Sequence, residues 1–482
     1  MKRYCLLFLC GFIQAATAQV HYELAVEPAK KNIHVDLQVS GLKKDSLLLK
    51  MPTWTPGYYQ FMNYAEKVSG FEVEGGGGWR HAQKNTWVVD CKGKSTVHIS
   101  YDVKADRNFV AGNYVDSAHA FISPAGVCMY TEGKVTVHVK PFPGWNKIAS
   151  GMDTLADGSF QAADFDQLYD SPILAGKLET LPSFSVRGVP HYFTGYNLDE
   201  FDKVKFTGDM KRIVESAVNI IGDIPYKHYT FLSIGPGMGG IEHLNSTAVS
   251  FSGEALEDPT GRLQMYSFLA HEYFHHYNVK RIRPVELGPF DYENGSRTEM
   301  LWMSEGFTVY YEYLIVRRAG LSTSEECLQQ LKHNIVAHER RPGKAYQSLV
   351  QSSWNTWSDG PFGGGAKSIS YYEKGPIIAL LMDLQIRHNT NNKKSLDDVM
   401  QLLYKRYYQQ AGRGFTGSEF RAVCEEVAGG SLEEIFSYVS TVKPIDYNKY
   451  LAYAGLVADK GFEIKRVSKP GKLETAICES IF

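Results

Sequence analysis

The sequence predicts an α+β multidomain fold, an N-terminal antiparallel β-sandwich-like domain followed by a mostly helical one. Three observations carry it. Apolar residues recur with period two from about residue 20 to 181 and with a helical period from about residue 208 to 440, and 482 residues at 44% hydrophobic content exceed what one compact core usually holds.

The β part rests on three alternating runs: Ile33, Val35, Leu37, Val39; Val97, Ile99, Tyr101, Val103; and Val135, Val137, Val139. The turn-rich stretches Gly75 to Gly78 and Pro141-Phe142-Pro143-Gly144 separate such runs, which points to half-buried antiparallel strands. From about residue 208 the residues Met210, Ile213, Val214, Ala217, Val218 and Ile221 share one helical face, with Gly222 as the stop. A strand over Tyr229 to Ile234 and a glycine-rich loop over Gly235 to Gly240 come next. Beyond them, Ser322-x-x-Glu325, Thr416-x-x-Glu419 and Ser431-x-x-Glu434 offer capping boxes, and Pro376 suits the first turn of a helix running through Ile386.

The N-terminus carries Met1-Lys2-Arg3, an apolar stretch from Tyr4 to Ile13, and Ala16-Thr17-Ala18 before Gln19. This is the pattern of a secretory signal cleaved after Ala18, so the mature chain is expected in the periplasm or outside the cell. Leu9, not a small residue, precedes Cys10, which favours simple cleavage over lipid attachment. No later segment reaches the roughly 20 apolar residues of a membrane span. With 51 Lys+Arg against 53 Asp+Glu and no long run of one sign, electrostatic capture of nucleic acid is not expected. Five cysteines follow the signal: Cys91, Cys128, Cys327, Cys424 and Cys478. Their spacing is neither a disulfide framework nor a metal site. Cys91 and Cys128 share the β region, where a pair and two buried thiols are equally compatible with the sequence.

The chemistry is concentrated in His271-Glu272-Tyr273-Phe274-His275, within an apolar segment read as a helix from about Gly261 to Lys280. Positions i and i+4 project from one helical face, so both imidazoles can reach one ion, and neutral imidazole suits zinc. Glu272 then points toward the open coordination position, placed to take a proton from water there. Glu305, in Leu301-Trp302-Met303-Ser304-Glu305-Gly306-Phe307, supplies a third ligand from a second helical segment running to Arg318. Two histidines and one carboxylate leave a fourth position for water, which a catalytic zinc requires.

These motifs resemble the glycyl aminopeptidase family of zinc metallopeptidases, in the gluzincin group. The matching stretches are Met51 through Tyr59 (MPTWTPGYY), Gly239 through His243 (GGIEH), His271 through Pro284 (HEYFHHYNVKRIRP), Leu301 through Tyr311 (LWMSEGFTVYY) and Tyr371 through Gly375 (YYEKG). The resemblance implies a thermolysin-like catalytic domain, one Zn2+ per chain on His271, His275 and Glu305, and Glu272 as general base. It implies that Glu242 binds the α-amine of a peptide or protein substrate, with Gly239 and Gly240 allowing close approach of an edge strand to that substrate. It also implies that Tyr372 stabilises the oxyanion, with Tyr371 as the competing ring; His243 and His276 are read as structural. The expected divisions are a signal peptide over 1–18, a β domain over 19–190, a thermolysin-like zinc peptidase domain over 191–455 with a loop from Pro284 to Thr298, and a short tail over 456–482. That tail is too short for the peptide-binding PDZ module that the family commonly carries. The expected activity is release of a small N-terminal residue such as Gly or Ala. An endopeptidase on the same zinc site and a non-catalytic peptide- or partner-binding protein are the alternatives, and oligomeric state is left open.

Overall fold

A computed structural model describes residues 18–482 save Met238. The signal-peptide expectation therefore lies, apart from Ala18, outside the described residues. The N-terminal part is built on a seven-stranded sheet whose centre runs in the order β4, β1, β2, β3: β1 is Gln19–Glu27, β2 Asn32–Ser40, β3 Thr96–Lys104 and β4 Lys134–Lys140. Every residue named above from the three alternating runs is at most 2% exposed, so the period of two does report the core face. One expectation is corrected. β4 lies parallel to β1, with Val20 opposite Val135 and Leu24 opposite Val139, whereas β1–β2 and β2–β3 are antiparallel. Alternation specifies the face a side chain takes and is blind to the direction of the neighbouring strand.

A three-stranded sheet (Ser46–Lys50, Thr86–Asp90, Trp79–Gln83) and part of a four-stranded one close the sandwich. Leu47, Leu49, Trp87, Val89, Ile122 and Ile173 share one core with the large sheet. From this layer the short helix α1, Phe165–Tyr169, ends at Asp170.

The second sheet begins within the expected N-terminal domain. The strands Glu179–Thr180 and Phe184–Val186 pair with β5, Val189–Gly195, so the sheet crosses the 190/191 division. The helix α2, Lys203–Ile221, starts where the Asp202 side chain accepts from the Lys205 amide and ends at Gly222, whose φ of 90° demands glycine or a strained residue. It connects β5 to the parallel strand β6, Tyr229–Ser233. The outer strands are β7, Gly240–Glu242, and β8, Ser246–Val249; β8 lies parallel to β6, and β7 pairs with it antiparallel at the sheet edge.

Helices then dominate: α3 is Pro259–Phe274, α4 Leu301–Arg318, α5 Ser324–Arg340 and α6 Tyr371–Asn389. The predicted start and end of α4 agree with its observed bounds. The capping box at Thr416 and Glu419 forms as expected. At α5 it shifts by one residue, to Thr323 and Glu326. Ser431 caps no helix with Glu434, because the Glu434 carboxylate is taken by Lys449 and Tyr438. Residues 456–482 form a hairpin, Leu456–Ala458 with Ile464–Arg466, and the helix α7, Lys472–Ile481; Ile464, Ile477, Ile481 and Phe482 join the core of the helical domain. All five described cysteines are buried and free, so Cys91 and Cys128 do not pair. Among the described residues no helix is long and apolar enough to cross a membrane.

Candidate active site

The helix carrying both histidines is shorter than its apolar pattern implies. α3 stops at Phe274, and His275 is its C-cap, with φ −59° and ψ −24°. Turns from His276 to Ile282 replace the expected last stretch to Lys280, pinned by Arg281 Nη1 donating to the carbonyls of His276 and Leu244 at 2.8 Å each. Because His275 keeps helical angles, the i, i+4 relation survives, and the two Nε2 atoms lie 2.9 Å apart.

Glu305 joins them from the second turn of α4. Its Oε2 is 3.2 Å from His275 Nε2 and 3.6 Å from His271 Nε2. The relative placement of α3 and α4 is held by Asn278, whose Nδ2 donates to the carbonyls of Met303 and Ser304 at 3.2 and 3.1 Å. The Thr308 hydroxyl donates back to the Asn278 carbonyl at 3.1 Å.

These atoms fit a zinc ion. Tetrahedral ligands about 2.0–2.1 Å from a zinc lie about 3.3 Å from one another, close to the spacings found here. Each Nδ1 is committed elsewhere: His271 Nδ1 donates to Glu312 Oε2 at 2.7 Å and His275 Nδ1 to the Asn278 carbonyl at 2.6 Å. Both Nε2 lone pairs therefore face a carboxylate oxygen and each other, an arrangement that repels unless a cation sits among them. Burial would push the Glu305 carboxyl up, but the two imidazoles override it and hold it well below the usual range. Both imidazoles are lifted against their burial by Glu305 and neighbouring carboxylates. The pocket thus favours positive charge at the Nε2 atoms, which a divalent ion supplies.

Sequence reasoning missed Glu312. It lies seven residues after Glu305, on the same face of α4, and it orients the His271 ring. Glu312→Gln is expected to weaken metal affinity by about 10–100-fold, the usual cost of losing such a support, as read by competition with a graded chelator.

Glu272 stands beside the metal position and against β7. A Cβ on Gly240 would lie 2.4 Å from Glu272 Oε1, so only glycine lets the edge strand approach this carboxylate so closely. The Oε2 atom has no hydrogen-bond partner among the described residues. Burial, with Glu242 and Glu305 adding to it and the two imidazoles opposing, pushes the Glu272 carboxyl up to about 7.

Glu242 is itself part of the edge strand, at the far end of β7 from Gly240, and is 4% exposed. A segment of the N-terminal domain backs it: a Cβ on Gly57 would lie 2.9 Å from Glu242 Oε2. Glu242 Oε1 has no hydrogen-bond partner among the described residues. The nearest ammonium, Lys280 Nζ, is 3.8 Å away. His243 and His276 are buried structural groups. His243 contacts Asp170, and His276 packs among Tyr226, Tyr229 and Tyr277.

The start of α6 puts the two tyrosines in different surroundings. The Tyr371 ring is fully buried and its hydroxyl is engaged by Thr356 Oγ1 at 2.9 Å. The ring of Tyr372 lies 6.2 Å from that of His271, at the cleft. Burial, followed by Glu305 and Tyr371, pushes its phenol well up, so the hydroxyl keeps its proton and can donate. Two features place it there. The helix starts at Tyr371, capped by Ser370, which leaves Pro376 inside the helix and not in its first turn. Proline has no N–H to offer the Tyr372 carbonyl four residues back; Asn334 Nδ2 of α5 donates to that carbonyl instead, at 3.4 Å. In addition, α4 and α6 cross at glycines, where a Cβ on Gly306 would lie 2.4 Å from Gly375 Cα.

The expected loop from Pro284 to Thr298 joins the two domains. Its Asp291 carbonyl accepts from Trp54 Nε1 at 2.7 Å and its Tyr292 carbonyl from the Thr53 amide at 2.9 Å. Trp54 packs against Phe290, Tyr292 and Trp357. The motif from Met51 through Tyr59 thereby reaches the back of β7.

Residues 21–177 match the M61 peptidase N-terminal domain, and residues 264–378 match the M61 glycyl aminopeptidase domain. The chain belongs to the M61 glycyl aminopeptidase family. As a member it is a zinc peptidase, with the two-part fold described above. An aminopeptidase N family protein from Idiomarina loihiensis is 25% identical and superposes with a TM-score of 0.86 over 94% of this chain and 82% of that one. An M1 zinc metallopeptidase from Deinococcus radiodurans is 13% identical, with a TM-score of 0.56 over 90% of this chain and 95% of that one. Native leukotriene A4 hydrolase from Saccharomyces cerevisiae is 15% identical, with a TM-score of 0.55 over 90% of this chain and 67% of that one. The last two share the fold with the M61 peptidase. No curated protein matches.

In this M61 peptidase a cleft of about 610 Å³ opens beside the site. Gly239, Gly240, His271, Glu272, Tyr372, Phe268 and Phe362 are among the residues that line it. The cleft thus extends from the Gly240 end of β7, and Glu242 lies at the other, enclosed end.

Proposed function

We propose that the chain is an exported aminopeptidase that removes a small N-terminal residue, Gly or Ala, from peptides, using one zinc ion per chain on His271, His275 and Glu305. The observation that carries this reading is the polarity of β7. One end is closed by a buried carboxylate with an oxygen free for a donor, and the other opens into the cleft. An extended peptide laid along this edge strand places its α-ammonium at Glu242 and its remaining residues beyond Gly239. An endopeptidase would need room for chain on both sides.

Zinc, when bound, supplies the Lewis acidity that makes water a competent nucleophile near neutral pH and draws charge from the carbonyl oxygen. Glu272 takes the proton from the attacking water and passes it to the nitrogen of the leaving amine. The Tyr372 hydroxyl donates to the carbonyl oxygen as negative charge develops there. Gly240, lacking a side chain, lets the substrate lie against both β7 and Glu272. Glu242 binds the α-ammonium.

Paired peptides with free and acetylated N-termini test this. The expected result is cleavage of Gly-initiated free peptides and at least about 100-fold slower cleavage of the acetylated forms, the scale of losing one charge-assisted hydrogen bond and leaving a buried carboxylate unpaired. Equal cleavage of both would remove the amine-binding role from Glu242 and favour the endopeptidase reading.

A further inference from the structure

We propose that Asp170 is a positioning residue for the amine end of the site, because by holding Lys280 it leaves Glu242 free for the substrate ammonium. This rests on the reading of Glu242 as the amine anchor.

Asp170 belongs to the N-terminal β domain, at the C-terminal end of α1, and is buried against the catalytic domain. Its Oδ1 accepts from Lys280 Nζ at 2.8 Å and from His243 Nδ1 at 3.1 Å, and its Oδ2 accepts from the Leu244 amide at 2.8 Å. Lys280 is also buried, in the turns that follow His275, and its Nζ lies between two carboxylates, 2.8 Å from Asp170 and 3.8 Å from Glu242. Only the first of these is a hydrogen bond. Glu242 Oε1, the oxygen nearer Lys280, has no hydrogen-bond partner among the described residues.

The charge count gives this geometry its meaning. Two carboxylates share one ammonium, and the oxygen left without a hydrogen-bond partner among the described residues is on Glu242. A substrate α-ammonium completes the set with two cations for two anions. If Asp170 were neutral, the Lys280 ammonium would have only Glu242 to pair with. In a buried setting charges are costly unless paired, so Lys280 and Glu242 would close on one another. The pocket would then be neutral before substrate arrived. On this account the N-terminal domain contributes to amine recognition without touching the substrate. Its anion holds back the cation that competes with the substrate for Glu242.

The test compares Asp170→Asn, Asp170→Asn with Lys280→Met, Glu242→Gln and wild type, each zinc-loaded and checked for thermal unfolding, on a free Gly-initiated peptide. The proposal expects KM to rise on the order of 10- to 100-fold in Asp170→Asn, the scale of one charge-assisted hydrogen bond, while kcat changes much less. It expects the double variant to recover most of that loss, since Glu242 is then released again. A merely structural Asp170 would not be rescued by deleting its partner. An unchanged KM in folded Asp170→Asn, or a double variant no better than the single one, overturns the proposal. If Asp170→Asn alone fails to fold, the double variant carries the test: a KM within a few-fold of wild type supports it, and a rise as large as that of Glu242→Gln overturns it. Failure of the underlying reading shows separately, as equal cleavage of free and acetylated peptides by wild type.

Discussion

Glu272→Gln is expected to bind zinc as wild type does and to hydrolyse peptides about 10²–10⁴-fold more slowly, the span that a positioned general base contributes. The substitution is nearly isosteric. Its amide fits the slot that Gly240 leaves beside the side chain, where a Cβ would come within 2.4 Å of the Oε1 atom. None of the three converging ligand atoms belongs to Glu272, so the metal site is left whole. What is lost is the proton acceptor: a carboxylate can take a proton from water and pass it on, and an amide cannot. Zinc analysis of the purified variant beside steady-state rates checks both halves. Near-normal turnover in a zinc-loaded variant would move the base to another group.

Glu305→Ala is expected to act one step earlier, by losing the metal. The two imidazoles alone leave zinc with two protein ligands where a catalytic site uses three. The loss of affinity should exceed the roughly 10–100-fold expected when a supporting group such as Glu312 is changed. Activity should fall with metal content and return in part at high added zinc. His271 and His275 keep their supports at Glu312 and the Asn278 carbonyl, so both rings keep their orientation. If the variant holds stoichiometric zinc at the affinity of wild type, the third ligand is a different residue.

The two experiments separate roles that lie close together in space. Glu272 lies next to His271 in the chain and Glu305 is brought to both from α4, yet one substitution should uncouple chemistry from metal and the other should remove the metal itself. Together with the graded chelator test on Glu312, they distinguish a ligand, a support for a ligand and a base among three carboxylates of one pocket.

Much of this pocket was legible because its signals are local. His271 and His275 are four residues apart, and a helix converts that spacing into a shared face. Their geometry survives although α3 ends at Phe274, because His275 still has helical angles. The alternating runs of the β domain were legible for the same reason: a period of two names the buried face whatever lies opposite. The parallel pairing of β1 with β4 was not legible, since it depends on where the chain returns after about a hundred residues.

By itself, then, the sequence determined the fold class, the buried faces of its alternating and helical runs and the residue types able to hold a zinc ion, since each of these follows from a few neighbouring positions and the geometry of a helix or strand. Only the tertiary structure separated Tyr371, buried with its hydroxyl against Thr356, from Tyr372 at the cleft, through a glycine crossing at Gly306 and Gly375 and a hydrogen bond from Asn334. Only it placed Glu242 at the enclosed end of an edge strand and set Asp170, from the other domain, against Lys280. These are contacts between segments tens to hundreds of residues apart, fixed by close packing and the pairing of buried charges, and no local pattern encodes which distant partner a side chain will meet.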